Sequence, residues 1–155
     1  MMTKLREWVR DCAYRVVTKR DPDFTVDGED RTYLMRWWII PRNPIFNIYL
    51  HCILADDRGR ALHTHPWLFF VSWMLDGAYI EESYTKGRVY IRERTYRAGS
   101  MLLRGPFMAH RLEVQRVRLP GMALTLVFTG PVVKSWGFWT SKGFVNHRDY
   151  DPSMV

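Results

Sequence analysis

His63-Thr64-His65 is the stretch whose residue types and spacing could do chemistry. It closes a short apolar run over 61–65, and residues at i and i+2 of an extended strand point to the same side. Both imidazoles could therefore reach one ion. Pro66 follows at once and has no N–H to give a continuing ladder, so it ends the strand and holds the pair at the wall. Taken alone, a His-x-His pair fits a surface or core pair as well as a metal site. Asp76-Gly77 supplies a turn one strand-length later, and another histidine-bearing segment follows Gly99. His51, in NIYLHCILADD over 47–57, shares the parity of Tyr49 and Ile53 and reads as an extra ligand, a general base or a structural histidine. Asp56 and Asp57 precede Arg58-Gly59, where turn chemistry accounts for them, and His147 beside Arg148 reads as a surface residue.

The elements that must position these groups are legible in the hydrophobic pattern. Over 3–20, Leu5, Trp8, Val9, Cys12, Ala13, Val16 and Val17 recur at helical spacing, with basic residues elsewhere on the wheel and Thr3 as the expected cap. This predicts an amphipathic helix packed on the rest of the fold, rather than one laid on a membrane or nucleic acid. After Asp21-Pro22 the chain changes to short β-rich runs. Strands are predicted over 33–40, 45–54, 61–65, 68–75, 78–84, 88–96, 101–104, 109–114, 122–129, 132–140 and 144–147. Turn pairs punctuate them at Asp27-Gly28, Asp76-Gly77, Lys86-Gly87, Ala98-Gly99, Pro120-Gly121, Gly130-Pro131 and Lys142-Gly143. The residues over 149–155 read as a fraying tail.

At 155 residues the chain is long enough for one hydrophobic core and short for two, so a single domain over 1–155 is expected. The net charge of +7 attracts anions but names no partner. Two widely spaced cysteines build neither a disulfide framework nor a zinc cluster and suggest a reducing compartment. With no signal-peptide pattern and no stretch of membrane-spanning length, a cytoplasmic protein without a membrane role is the expectation.

The spacing around the histidines resembles the cupin superfamily. His63, His65 and Gly77 match the first cupin motif, G(x)5HxH(x)3–4E(x)6G, while Gly99, Gly105-Pro106-Phe107 and His110 resemble the second, G(x)5PxG(x)2H(x)3N. HTHPW over 63–67, GAYIE over 77–81 and TGPVVKSWGF over 129–138 look like small cupin-like proteins of bacterial and phage genomes. The resemblance covers about 33–129 and implies an all-β, double-sheet jelly-roll barrel over 33–147 behind the N-terminal helix, together with a homodimer. Three positions depart from the motifs. The glutamate of the first motif falls at Phe70, the proline of the second is displaced to Pro106, and its asparagine is Val114.

What the resemblance implies for the site is one divalent transition metal, iron, nickel, manganese or zinc, held by His63, His65 and His110. Without a carboxylate ligand such a site keeps the metal's full charge and favours a small anionic ligand. In a cupin-like arrangement Phe70, Ser72 and Met74 share a parity and face the interior, Arg104 is either an anion clamp or a surface arginine, and Tyr79 is a candidate proton donor. Glu81 and Glu82 are expected to be solvent-exposed, with strand alternation letting at most one point inward. The functions open at this stage are a metal-dependent oxygenase, a non-catalytic small-molecule module, and a phage or host interaction protein. The last would use the basic aromatic run over 88–97. That run reads more simply as a charged outer strand, so nucleic acid is not an expected partner.

Overall fold

A computed structural model describes residues 2–27, 31–57, 61–85, 91–114, 121–151 and 153, with nothing stated for the side chain of Thr85. The amphipathic pattern at the N-terminus forms α1 (Met2–Lys19). Its Val9, Ala13, Val16 and Val17 pack with Trp37, Leu50, Cys52, Leu75 and Leu124, and Tyr14 Oη donates to Asp76 Oδ2 at 2.8 Å. Thr3 lies inside the helix rather than capping it, and Leu5 and Trp8, although on the apolar stripe, stay 52% and 65% exposed.

Among the described residues twelve strands follow: β1 (Phe24–Asp27), β2 (Thr32–Trp38), β3 (Asn47–Ile53), β4 (Leu62–His63), β5 (Phe70–Asp76), β6 (Ala78–Thr85), β7 (Arg92–Arg97), β8 (Met101–Arg104), β9 (Met108–Val114), β10 (Ala123–Thr129), β11 (Gly137–Thr140) and β12 (Gly143–Asn146). They form two six-stranded sheets, ordered β1-β2-β3-β10-β5-β8 and β12-β11-β4-β9-β6-β7. All the pairings are antiparallel. Among the described residues the two sheets are hydrogen-bonded separately, which is the double-sheet jelly-roll arrangement expected from the sequence. Tyr33, Leu34, Ile53, Met74, Tyr79, Leu102, Leu112 and Val114 fill the space between them.

Two differences from the sequence reading matter. The short strand β1 was not expected, and the run over 132–140 is a strand only from Gly137, with Val132 making an isolated bridge to Trp67. Of the expected strand over 88–96, Arg88 to Tyr90 lie outside the described residues, as do Gly28, Lys86, Gly87 and Pro120 of the expected turns. Gly77 is required where it stands. Its φ is +76°, and an added Cβ would collide with the Met122 carbonyl oxygen.

Candidate metal centre

His63 and His110 are direct cross-strand partners on β4 and β9, so their side chains rise from one face of the sheet, with ring centroids 4.7 Å apart. The strand ends at His63, and His65 is set by the loop beyond it rather than by strand parity. Thr64 makes that loop rigid: its N–H donates to Gly137 O at 2.9 Å while its Oγ1 accepts from Gly137 N at 3.2 Å. The His65 ring stacks on Phe70 at 4.8 Å and Trp67 at 5.4 Å. Its Nε2 comes within 2.8 Å of His110 Nε2.

One donor nitrogen from each of His63, His65 and His110 lies within 4.8 Å of the others, and among the described residues no carboxylate joins them. Metal–imidazole bonds of about 2.0–2.1 Å put neighbouring donors roughly 3–4 Å apart, a spacing near that of this set, which could hold one ion. The chemistry of the donors fits as well. Two imidazole nitrogens at 2.8 Å need either a proton or a cation between them. Burial, and then the neighbouring His110 and His63, hold His65 well below the usual histidine range, so it is a neutral donor.

The carboxylates that the sequence reading assigned to solvent or to a turn stand directly behind these rings. Glu81 is 1% exposed, and its Oε1 accepts from His110 Nδ1 at 2.7 Å. Burial would raise the Glu81 pKa, but the hydrogen bonds and charges of His110 and Arg104 outweigh it and hold the carboxyl below its ordinary range. An ionised Glu81 keeps the proton on His110 Nδ1 and leaves Nε2 as the lone pair facing the other two histidines. Asp57, also buried, has its Oδ2 at 3.6 Å from His63 Nδ1, biasing that ring the same way, while its Oδ1 accepts from Leu112 N. Glu82 is turned outward and pairs with Arg111 at 2.7 Å.

Arg104 is 8% exposed. It lies behind Glu81, with Nη2 bonded to Glu81 Oε2, Nε to Glu81 Oε1 at 3.1 Å, and a further bond to Tyr96 Oη at 2.9 Å. Those bonds absorb the donors that a substrate clamp would use. Tyr96 is therefore buried, and the described part of the basic run exposes Arg92 and Arg94 without it.

Between the sheets is a cavity of about 380 Å³ lined by His63, His65 and His110. Phe70, Ser72 and Tyr79 line it, whereas Met74 is fully buried in the core and Arg104 is held off the wall. Burial, Glu81 and Tyr96 raise Tyr79, against the opposing influence of Arg104 and a Ser72 hydrogen bond, so its phenol keeps its proton. His51 lines the cavity from β3, with its Nε2 accepting from Arg36 Nε at 2.8 Å. His147 is half-buried against Trp136, with ring centroids 4.5 Å apart, rather than lying on the surface.

No protein-family model and no curated protein sequence matches the chain. Solved structures do. Iron(II) HppE superposes with a TM-score of 0.52 at 16% identity over 71% of this chain and 58% of its own. Oxalate decarboxylase of Bacillus subtilis, studied for its Mn(II) centres, gives 0.54 at 14% identity over 78% of this chain and 30% of its own. Peruvianin-I, a cysteine peptidase from Thevetia peruviana latex, gives 0.56 at 14% identity over 83% and 76%. The chain thus spans little more than half the length of HppE and under a third of oxalate decarboxylase. A decarboxylase and a cysteine peptidase on one architecture leave function to the site. Of this chain's own thiols, Cys52 is buried beneath α1 and pushed up to about 11. Two antiparallel sheets enclosing a three-histidine cluster, together with these structural likenesses, give the chain a cupin fold.

Proposed function

We propose that the protein binds one divalent transition metal through His63, His65 and His110 and acts on a small anionic molecule held in the cavity, with metal-dependent oxygenase chemistry as the reaction class. The observation that carries this reading is the convergence of three imidazoles on a cavity, with the His110 tautomer set by a buried Glu81. Iron, nickel, manganese and zinc all suit the donor set, and the iron(II) and Mn(II) named for two structural neighbours support the first and third. Bound metal would supply Lewis-acid polarisation of a chelating substrate or, if redox-active, electrons for oxygen chemistry. Phe70 and Ser72 then shape the wall, and Tyr79, whose phenol keeps its proton near neutrality, is the group that would donate a hydrogen bond to the ligand.

A non-catalytic binding module is the second reading. It is favoured by the pairing of Glu81 with His110 and Arg104, which leaves that carboxylate without a free lone-pair role as a base. Metal analysis of protein purified without a histidine tag tests the metal centre. Stoichiometric metal, lost in the His63→Ala/His65→Ala double variant, is expected. A metal-free wild type that also refuses added iron, nickel, manganese and zinc would sink the reading. Metal binding without oxygen uptake on small anions would leave the binding module.

A cytoplasmic location is supported by two free cysteines, and among the described residues no helix is long and apolar enough to cross a membrane. A homodimer is supported by the sheet-edge strand β8, which exposes Met101 and Leu103. Light scattering on the purified protein decides it.

A further inference from the structure

The wall of the cavity that faces the histidine-bearing sheet carries a charge that the metal centre does not use. Arg36 on β2 and His51 on β3 are direct cross-strand partners, and both line the cavity. Arg36 Nε donates to His51 Nε2 at 2.8 Å, and the guanidinium carbon sits 5.1 Å from the ring centroid of Tyr49 and 5.6 Å from that of Phe24. One bond and two aromatic faces thus fix the fork in orientation. An imidazole that accepts at Nε2 is neutral and carries its proton on Nδ1. Burial and the adjacent guanidinium hold His51 in that state, well below its ordinary range. His51 therefore orients Arg36 without neutralising it.

Neutralisation does not come from elsewhere among the described residues. Arg104, the other arginine in this part of the interior, is matched by Glu81, but none of the ion pairs includes Arg36. A half-buried guanidinium with no counterion is costly to desolvate, and an entering anion offsets that cost. Among the described residues only its Nε is spent on the protein, which leaves both terminal amino groups for the parallel bonds that carboxylates and phosphoryl groups accept. Phe24, half exposed and also a lining residue, places this fork near the surface end of the cavity.

We propose that Arg36, oriented by His51 and framed by Tyr49 and Phe24, is an oxyanion-recognition site. The cavity then takes a small organic ligand with a carboxylate or phosphoryl group at the Arg36 end and the remainder directed across the apolar middle, past Leu34 and Leu112, toward the histidines. This deepens the proposed function by naming the residue that selects the anion. It rests on that reading only for the far end of the ligand, because recognition by Arg36 needs no metal.

The test uses chelator-treated, metal-free protein and follows tryptophan fluorescence, since Trp67 and Trp136 line the cavity. Succinate, its uncharged diamide and inorganic phosphate are titrated into wild type, Arg36→Met and Arg36→Lys. Wild type is expected to prefer succinate or phosphate to the diamide. Arg36→Met should weaken the anion by at least about tenfold, the loss of a charge-assisted pair of hydrogen bonds, and Arg36→Lys should retain part of the binding as a point charge without a fork. Equal binding of succinate, phosphate and diamide by wild type overturns the proposal. So does unchanged anion affinity in Arg36→Met with a native near-ultraviolet spectrum. If that variant does not fold, Arg36→Lys decides, with wild-type affinity counting against the fork. Zinc titration run alongside separates the two readings. A wild type that binds anion but no zinc removes the metal centre and leaves this site standing, whereas zinc binding without anion preference does the reverse.

Discussion

Glu81→Gln is the perturbation with the most to say about how the centre is built. The carboxylate is 1% exposed and serves two partners, His110 Nδ1 at 2.7 Å and the Arg104 fork. Glutamine keeps the shape, but it removes the charge that fixes the His110 tautomer and leaves Arg104, 8% exposed, without its counterion. Removing one member of a buried ion pair costs about 3–5 kcal/mol, and the amide's remaining hydrogen bond puts the expected loss near the lower end, about 3 kcal/mol. Loss of a carboxylate behind a ligating histidine weakens metal binding by about 10–100-fold. Urea unfolding of the metal-free protein measures the first effect, and zinc competition against a chromogenic chelator measures the second. The double variant Glu81→Gln/Arg104→Met separates them, since it removes the orphaned charge and should recover stability without recovering zinc affinity. A folded Glu81→Gln protein that binds zinc within about twofold of wild type, outside the 10–100-fold range, would refute the tautomer argument.

Other perturbations follow from the same geometry. His51 and His65 are both held well below the usual histidine range, so from about pH 6.5 downward the unfolded chain takes up protons that the folded one refuses. Metal-free stability should therefore fall on acidification by up to about 2.7 kcal/mol per pH unit, and His51→Gln should halve the slope in urea titrations run from pH 7 to 5. Gly77→Ala should lower stability by at least about 2 kcal/mol, because it forces a side chain into a positive-φ position and against the Met122 carbonyl. A thermal melt near that of wild type would contradict the geometry. Cys52, buried and pushed up to about 11, should resist alkylation at pH 8 until the protein unfolds, while Cys12, half-buried on α1, reacts first. Peptide mapping after timed iodoacetamide treatment reads the order.

The fold and the three histidines were legible because their signals are local. His63 and His65 stand two residues apart, although a loop rather than strand parity sets His65; Gly77 closes a turn, His110 follows Gly99 at a motif-like distance, and in β5 Phe70, Ser72 and Met74 share the buried parity. Parity gives only two faces, however, and does not say which one a glutamate takes. Tyr79, Glu81 and Ser83 share a buried face while Glu82 turns out to Arg111, and the aromatic at 79 was the available clue to that choice. Arg104 ends a four-residue strand, Met-Leu-Leu-Arg, whose three apolar residues carry no period, so nothing local distinguished its buried face from its exposed one. Strand β1 has four residues between turn formers, and its pairing with β2 depends on a contact outside any local window. Arg36 and His51 are fifteen residues apart and meet only through the β2–β3 register.

X-ray absorption on the metal-loaded protein tests the central claim most directly. One metal per chain is expected, with scattering from three imidazoles at about 2.0–2.1 Å and the remaining positions filled by light solvent or ligand atoms, reduced to two imidazoles in His110→Ala. A spectrum with one imidazole or none, or one unchanged by His110→Ala, would contradict it.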